Sequence, residues 1–462
     1  MRIILALSLI VLLPLCAAER VDAIWSAGYV VPVDASGRVI ENGAVAVKGQ
    51  TIVAVGTRAE IDGKYTAKVR LDKPNAILMP GFIDTHTHAA MVLFRGIADD
   101  RKLQDWLENF IFPAEARNVN EEFVRWGTRM ACLEMVLAGT TTYTDMYYFE
   151  DAVAEETKAA GLRGVLGQTV IGFPAPDYKT PAAALAGAEK YIARFKDDPL
   201  IVPALAPHAV YTVADDVLQQ TRALANRTGA PVLIHLSETK RENDDEMKKR
   251  GKSPTQILDG LKFFEGGRTL GAHGVWLDDA DIATLAKRKV GLAHCPSSNT
   301  KLASGVARVV DILAAGIDMG LGTDGFAGSN NDATLMEEMD LAGKLQKVTR
   351  LDATALNARQ IVEMATIMGA RALGIDKITG SLEAGKRADM ITISLDAPRA
   401  TPMYNVYSQI VYALKGSDVR DVMVNGRQIV KDRKVLTLNE SAVVAKAKEY
   451  KQRILASLKE KQ

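Results

Sequence analysis

The chain has 462 residues, 48% hydrophobic and 24% charged, with 57 basic against 56 acidic side chains. That balance supplies no basic field for nucleic acid or an anionic membrane surface, and it points to small-molecule chemistry. The length suffices for one large domain and a smaller one, with a core that needs no disulfide staples.

Met1-Arg2, an apolar run from Ile3 to Leu15 and the small residues Ala17-Ala18 read as a secretory signal peptide, residues 1–18. The run is too short to span a bilayer. Cleavage after Ala18 predicts an exported protein, periplasmic or secreted. Lipid anchoring at Cys16 is the alternative, against which the bulky Leu15 speaks. Cys132 and Cys295 remain, and the sequence does not say whether they pair.

Residues 19–80 are short β runs separated by turn signals at Asp34-Ala35-Ser36-Gly37, Asn42-Gly43 and Lys48-Gly49-Gln50. Asn-Gly between apolar runs is a strong hairpin cue. The texture returns over residues 385–440, with a strand at Ala388–Ile393 and a hairpin around Asn425-Gly426. The two ends are therefore expected to build one small β-sandwich. Residues 441–462 read as a charged surface helix.

Between them, residues 81–384 alternate. Glu121–Leu137 carries Phe123, Trp126, Met130, Leu133 and Leu137 on one helical face. Asp215–Arg227 repeats the pattern, and Asp278-Asp279 starts a third helix. Strands are predicted at 81–86, 140–145, 163–168, 201–206, 231–236, 269–274, 290–295 and 318–323. Eight β/α units imply a TIM-type (β/α)8 barrel, whose active site lies at the C-terminal strand ends. An open doubly wound sheet calls for a Gly-rich phosphate turn, and none is present.

The six histidines map onto those strands. His86 and His88 end strand one, His208 follows strand four, and His235 ends strand five. His273 lies in strand six and His294 in strand seven, while Asp324 follows strand eight. Random scatter would leave a sizeable share on helices. A lone strand histidine is more often structural than a ligand, but six at strand ends are not explained that way. His86 and His88 alternate, so both project to one face of the strand. Two imidazoles there suit zinc, nickel, iron or copper, and His235 and Asp324 complete a site with room for water. Glu238, three residues beyond His235, is placed to move protons at that water. As a bare loop carboxylate it reads equally well as a helix cap. His273 points into the same mouth, and His208 reads as a substrate contact. His294 is left outside the catalytic set.

At these residues the chain resembles the amidohydrolase superfamily, and within it the 5-methylthioadenosine/S-adenosylhomocysteine deaminases, in the branch that also holds triazine hydrolases. The stretches carrying this are PGFIDTHTH (80–88), RGIADDRKLQDWLENFIFPAEA (95–116), AGTTTYTDMY (138–147), HLSET (235–239), GAHGVWLDD (271–279), AHCPSSNTKLASG (293–305), GLGTDG (320–325) and GSLEAGKRADMITI (380–393). The resemblance implies metal ligands at His86, His88, His235 and Asp324, proton transfer by Glu238, and orientation of the attacking water by His273 with Asp324. It implies substrate contacts at Glu115, His208 and Trp106 alongside Glu238. On its own, Glu115 reads as an ordinary helix-start acid. Strand four, Ile201–Ala206, carries no lysine to bridge two metals, so one divalent ion is expected: zinc, with ferrous iron as the alternative. The expected reaction is release of ammonia from an amino-substituted heterocycle, foremost an adenosine derivative such as 5'-methylthioadenosine. The same motifs serve hydrolysis of a ring C–N or C–Cl bond in a triazine, pterin, guanine or cyclic amide. A non-catalytic metal-binding paralogue predicts a lost ligand or base, and none is lost. Between Gly164 and Ala193 there is no arginine to hold an amino acid carboxylate, which weighs against S-adenosylhomocysteine. The segment Gly325–Asn331 is one residue longer than the family's usual one. The oligomeric state is left open.

Overall fold

The computed structural model describes residues 18–459; residues 1–17, which hold Cys16 and all but the last residue of the expected signal peptide, lie outside them. Eight parallel strands run Phe82–His88, Thr140–Tyr147, Arg163–Val170, Ile201–Pro207, Val232–Leu236, Thr269–His273 and Gly291–His294, with the eighth in two pieces, Met319–Leu321 and Asp324–Gly325. We number them barrel strands 1 to 8. Strand 8 closes the barrel on strand 1, where Leu321 pairs with Asp84 and Asp324 with Thr87. All eight predicted strands fall on these. Every residue of strands 2 and 3 is buried, as parallel strands covered on both faces require.

The helices between them start and stop on local chemistry. Glu121–Ala138 begins where the Asn120 side chain accepts the Phe123 N–H, and it ends at Gly139, φ 92°, a left-handed position that glycine takes without steric cost. Asp278 caps Asp279–Arg288 and receives a reciprocal bond through Asp281. Both helices sit where the apolar periodicity puts them.

The chain ends join in one further sheet of eight strands. From the start come Glu19–Val30, Ile40–Lys48, Thr51–Thr57 and Tyr65–Pro80; from the end come Met390–Ser394, Val419–Val424, Arg427–Lys431 and Lys434–Val435. Met390–Ser394 pairs antiparallel with Ala76–Pro80 and so joins the two ends. Trp25, Val45, Leu78, Met390 and Met423 share one apolar cluster on this sheet. The Arg163–Asp389 pair, 3.0 Å and fully buried, ties it to barrel strand 3.

Two details differ from expectation. Asn42-Gly43 makes no hairpin but lies inside Ile40–Lys48, and the chain reverses at Gly49-Gln50 instead. Gly43 serves packing there: a Cβ would stand 2.5 Å from Val30 Cγ2. The last helix, Glu440–Lys459, is not merely a solvated surface element. Val443, Tyr450 and Ile454 are buried, and the Tyr450 ring meets Phe123 edge-on at 5.4 Å. Cys132 and Cys295 are both free and buried. No helix among the described residues is long and apolar enough to cross a membrane.

Candidate active site

At the C-terminal mouth of the barrel the ligand-type atoms of His86, His88 and His235 lie within 4.8 Å of one another, and those of His86, His273 and Asp324 do likewise. Asp324 Oδ1 is 3.4 Å from Nε2 of both His86 and His88, and His88 Nε2 is 3.3 Å from His235 Nε2. Neither nitrogen of the fully buried His86 has a hydrogen-bond partner. A buried imidazole left without partners is costly, and a cation among these atoms removes that cost at the nitrogen it binds.

The surroundings prepare the cluster for one. His88 Nδ1 lies 2.7 Å from the Met146 carbonyl and His235 Nδ1 lies 2.9 Å from the His208 carbonyl. Each Nδ1–H therefore donates to a backbone oxygen, which leaves Nε2 bare and facing the centre. Burial pushes His86 down to about 4, so it is neutral near pH 7. Burial opposes ionisation of Asp324, but the close approach of His86, with His273 and His88 nearby, outweighs burial and holds Asp324 well below the usual carboxylate range. The Ser298 hydroxyl fixes its other oxygen at 2.6 Å. Neutral imidazoles and an ionised carboxylate are the forms that bind a divalent metal.

Glu238 leaves the end of strand 5 beside this cluster. Its side chain is buried, and its Oε2 lies 3.9 Å from His273 Nε2. Burial, and then the Asp324 charge, push its carboxyl up to about 8. The His273 ring is oriented by Nδ1, 3.0 Å from Asn299 Oδ1. Ser237, His273 and Asp324 all adopt positive φ, at 49°, 75° and 64°. Such non-glycine conformations cost roughly 1–3 kcal/mol each and gather at functional sites.

The cluster floors a cleft at the mouth of the barrel. Leu103, Leu107, Ile111 and Phe112 form an apolar wall, and among the described residues no lysine or arginine lines the cleft. Glu115 is buried in that wall and accepts the Tyr147 hydroxyl at 2.7 Å and the Tyr148 hydroxyl at 3.5 Å. His208 also faces the cleft, with Nδ1 2.9 Å from the Thr212 hydroxyl. Trp106 lines it and donates its indole N–H to the Ala327 carbonyl at 3.3 Å. Gly328 permits that approach, since a Cβ there would stand 2.4 Å from Trp106 Nε1. The Gly325–Asn331 segment thus braces the wall that carries Trp106. His294 is buried and does not line the cleft.

Residues 77–429 match the Amidohydrolase family. The chain belongs to that family. Among the amidohydrolases it is 45% identical over 442 residues to a 5-methylthioadenosine/S-adenosylhomocysteine deaminase of Syntrophus aciditrophicus, covering 96% of this chain and 99% of that one. It is 39% identical over 437 residues to a 5'-deoxyadenosine deaminase of Methanosarcina acetivorans, covering 94% and 99%. The zinc-bound crystal structure of an adenosine deaminase from Xanthomonas campestris superposes with a TM-score of 0.93 at 38% identity, covering 95% of this chain and all of that one.

This amidohydrolase brings all nine sequence-predicted site residues to one cleft or its floor. Sequence reasoning missed Tyr147, Tyr148, Ser298 and Asn299, which touch the predicted groups from other strands and loops. The one available signal was Tyr147 at the end of the AGTTTYTDMY stretch. It also missed the close approach of strand 8 to strand 1: a Cβ on Gly322 would lie 2.9 Å from His86 Cβ and 3.1 Å from Cys295 Sγ. Gly322→Ala should therefore cost about 1–3 kcal/mol of stability, read by denaturant unfolding, and should displace His86.

Proposed function

We propose that the protein is a metal-dependent hydrolytic deaminase of adenosine derivatives with an uncharged 5' substituent, foremost 5'-methylthioadenosine. The observation that carries this reading is Glu238, a buried carboxyl raised to about 8 beside the His/Asp cluster. A carboxyl that exchanges protons near neutral pH, next to a metal-type site, suits hydrolysis at a ring carbon. His86, His88, His235 and Asp324 would hold one divalent ion, with zinc the first expectation. When bound, such an ion supplies the Lewis acidity that makes water nucleophilic near neutral pH. Glu238 takes one proton from the attacking water and delivers it to a ring nitrogen as the water oxygen adds to the amino-bearing carbon. It then carries the second proton to the amino group, and ammonia leaves. His273, held by Asn299, orients the water.

The cleft supports the substrate class. Glu115 with its two tyrosines offers carboxylate oxygens to the two ribose hydroxyls. The cation-free apolar wall receives a methylthio or deoxy group more readily than an amino acid carboxylate. An ammonia-release screen tests the reading. Methylthioadenosine, 5'-deoxyadenosine and adenosine should be turned over with higher kcat/KM than S-adenosylhomocysteine. Release from a triazine, a pterin or guanine in preference to all adenosines would overturn it.

Glu115 yields a separate expectation. Its loss removes a charged acceptor, so Glu115→Gln should raise KM for ribonucleosides by about 10-fold or more and leave free adenine little affected. Burial raises the Glu115 carboxyl to about 7, with Tyr147 and Tyr148 pulling the other way. Protonation destroys the acceptor, so the wild-type KM should climb as pH falls below 7. In Glu115→Gln that part of the pH dependence should be gone.

Export, the expectation set by residues 1–18, would direct this activity to nucleosides outside the cytoplasm, and fractionation of the source cells tests it.

A further inference from the structure

Among the described residues four α-helices have a complete reciprocal cap, starting after Thr57, Ser253, Asp278 and Asn357. In each, the side chain three residues into the helix accepts the backbone N–H of the capping residue itself. The helix Lys240–Arg250 begins on Thr239, whose hydroxyl accepts the Glu242 N–H in the usual way. Glu242, at the equivalent third position, does not return to Thr239. It reaches past it, accepting the Glu238 N–H at 2.8 Å and the Ser237 N–H at 3.3 Å.

Those two amides are not ordinary ones. Ser237 is held at φ 49°, and its carbonyl accepts the N–H groups of Val275 and Trp276 at 3.1 and 2.9 Å. These lie just beyond His273. The Glu238 side chain makes no hydrogen bond of its own among the described residues; its Oε2 lies 3.9 Å from His273 Nε2. No hydrogen bond of its own fixes its direction, which leaves that to its backbone and the packing around it. That backbone is gripped through the N–H side by Glu242 and through the preceding carbonyl by the end of strand 6.

We infer that Glu242 is a positioning residue, a carboxylate clamp that fixes the strained Ser237-Glu238 backbone and so aims the Glu238 carboxyl at the reacting atoms. The inference rests on the proton-transfer role of Glu238 proposed above. A clamp of this kind acts on turnover more than on binding, because misplacement of a proton-transfer group by about 1 Å is worth up to about 100-fold in rate.

The test uses the full-length, metal-loaded enzyme and four variants. Glu242→Gln keeps the shape but has one acceptor oxygen for two N–H groups. It should lower kcat by about 10- to 100-fold with KM within about twofold and metal content unchanged. In a Glu238→Gln background the same change should have no further effect on kcat. Glu60→Gln, at the ordinary cap after Thr57, is the control and should leave kcat alone. A lowered Tm with normal kcat for folded Glu242→Gln would reduce Glu242 to a helix cap and overturn the clamp, as would additive losses in the double variant. Full turnover by Glu238→Gln instead overturns the role of Glu238 and the clamp with it. Deuterium exchange on the unmodified enzyme decides independently of any variant's folding. The Ser237 and Glu238 amides should exchange as slowly as those of barrel strand 5, and fast exchange there overturns the clamp.

Discussion

Glu238→Gln should lower kcat by roughly 10²–10⁴-fold while the purified protein keeps its full complement of metal. Glutamine matches the carboxylate in size and cannot carry a proton. Glu238 is outside both groups of metal-type donors, His86 with His88 and His235, and His86 with His273 and Asp324. The change therefore separates proton transfer from metal binding. KM should change by less than kcat, because the interaction removed belongs to the transition state. The measurement is kcat and KM by ammonia release, with metal content determined on the same sample. Turnover near that of the wild type would assign the proton transfer elsewhere, and His273 would then be the next group to examine. Loss of metal together with activity would make Glu238 a ligand rather than an acid–base group.

The barrel was legible because its signals are local. Strands such as Thr140–Tyr147 are short buried runs between capped helices, and His86 and His88 show their shared face by alternation alone. The histidines betray the site because each ends or follows a strand, and all eight strands deliver their ends to one mouth. Glu115 was not legible from its own neighbours. Phe112-Pro113-Ala114-Glu115 is a good helix start, and only the fold brings Tyr147 and Tyr148 against that carboxylate. Ser298 and Asn299 were hidden for the same reason: they fix Asp324 and His273 from the short helix Pro296–Lys301 beyond strand 7, across a separation of 26 residues in each case. The strained φ angles at Ser237, His273 and Asp324 run against local preference, so propensity could not foresee them. Asn42-Gly43 failed in the opposite sense. It is a strong turn signal that tertiary packing against Val30 overrides.

Stripping the metal should abolish turnover, with at least about 10³-fold loss, and one equivalent of zinc per chain should restore it. The stoichiometry follows from the geometry. His86, His88, His235, His273 and Asp324 form one compact set of donors, and strand 4 contributes no side chain that would bridge a second ion. Stability should move in the same direction. Without an ion the buried His86 keeps two unpartnered nitrogens, and Asp324 keeps a buried charge. A ligand that binds only the folded chain raises its stability by about 2.7 kcal/mol at 100 times its Kd, so Tm should rise on reconstitution and depend on free metal concentration. Ser298→Ala provides the internal comparison. It leaves every ligand in place but frees the second oxygen of Asp324, and the loss of such a supporting bond should weaken metal affinity by about 10- to 100-fold. Titration of stripped protein with zinc, followed by calorimetry and by recovered ammonia release, measures all three quantities. Restoration only at two equivalents per chain would replace the single-ion site with a paired one. Full activity in the stripped protein would remove the metal from the reaction and leave the unpartnered nitrogens of His86 without an explanation.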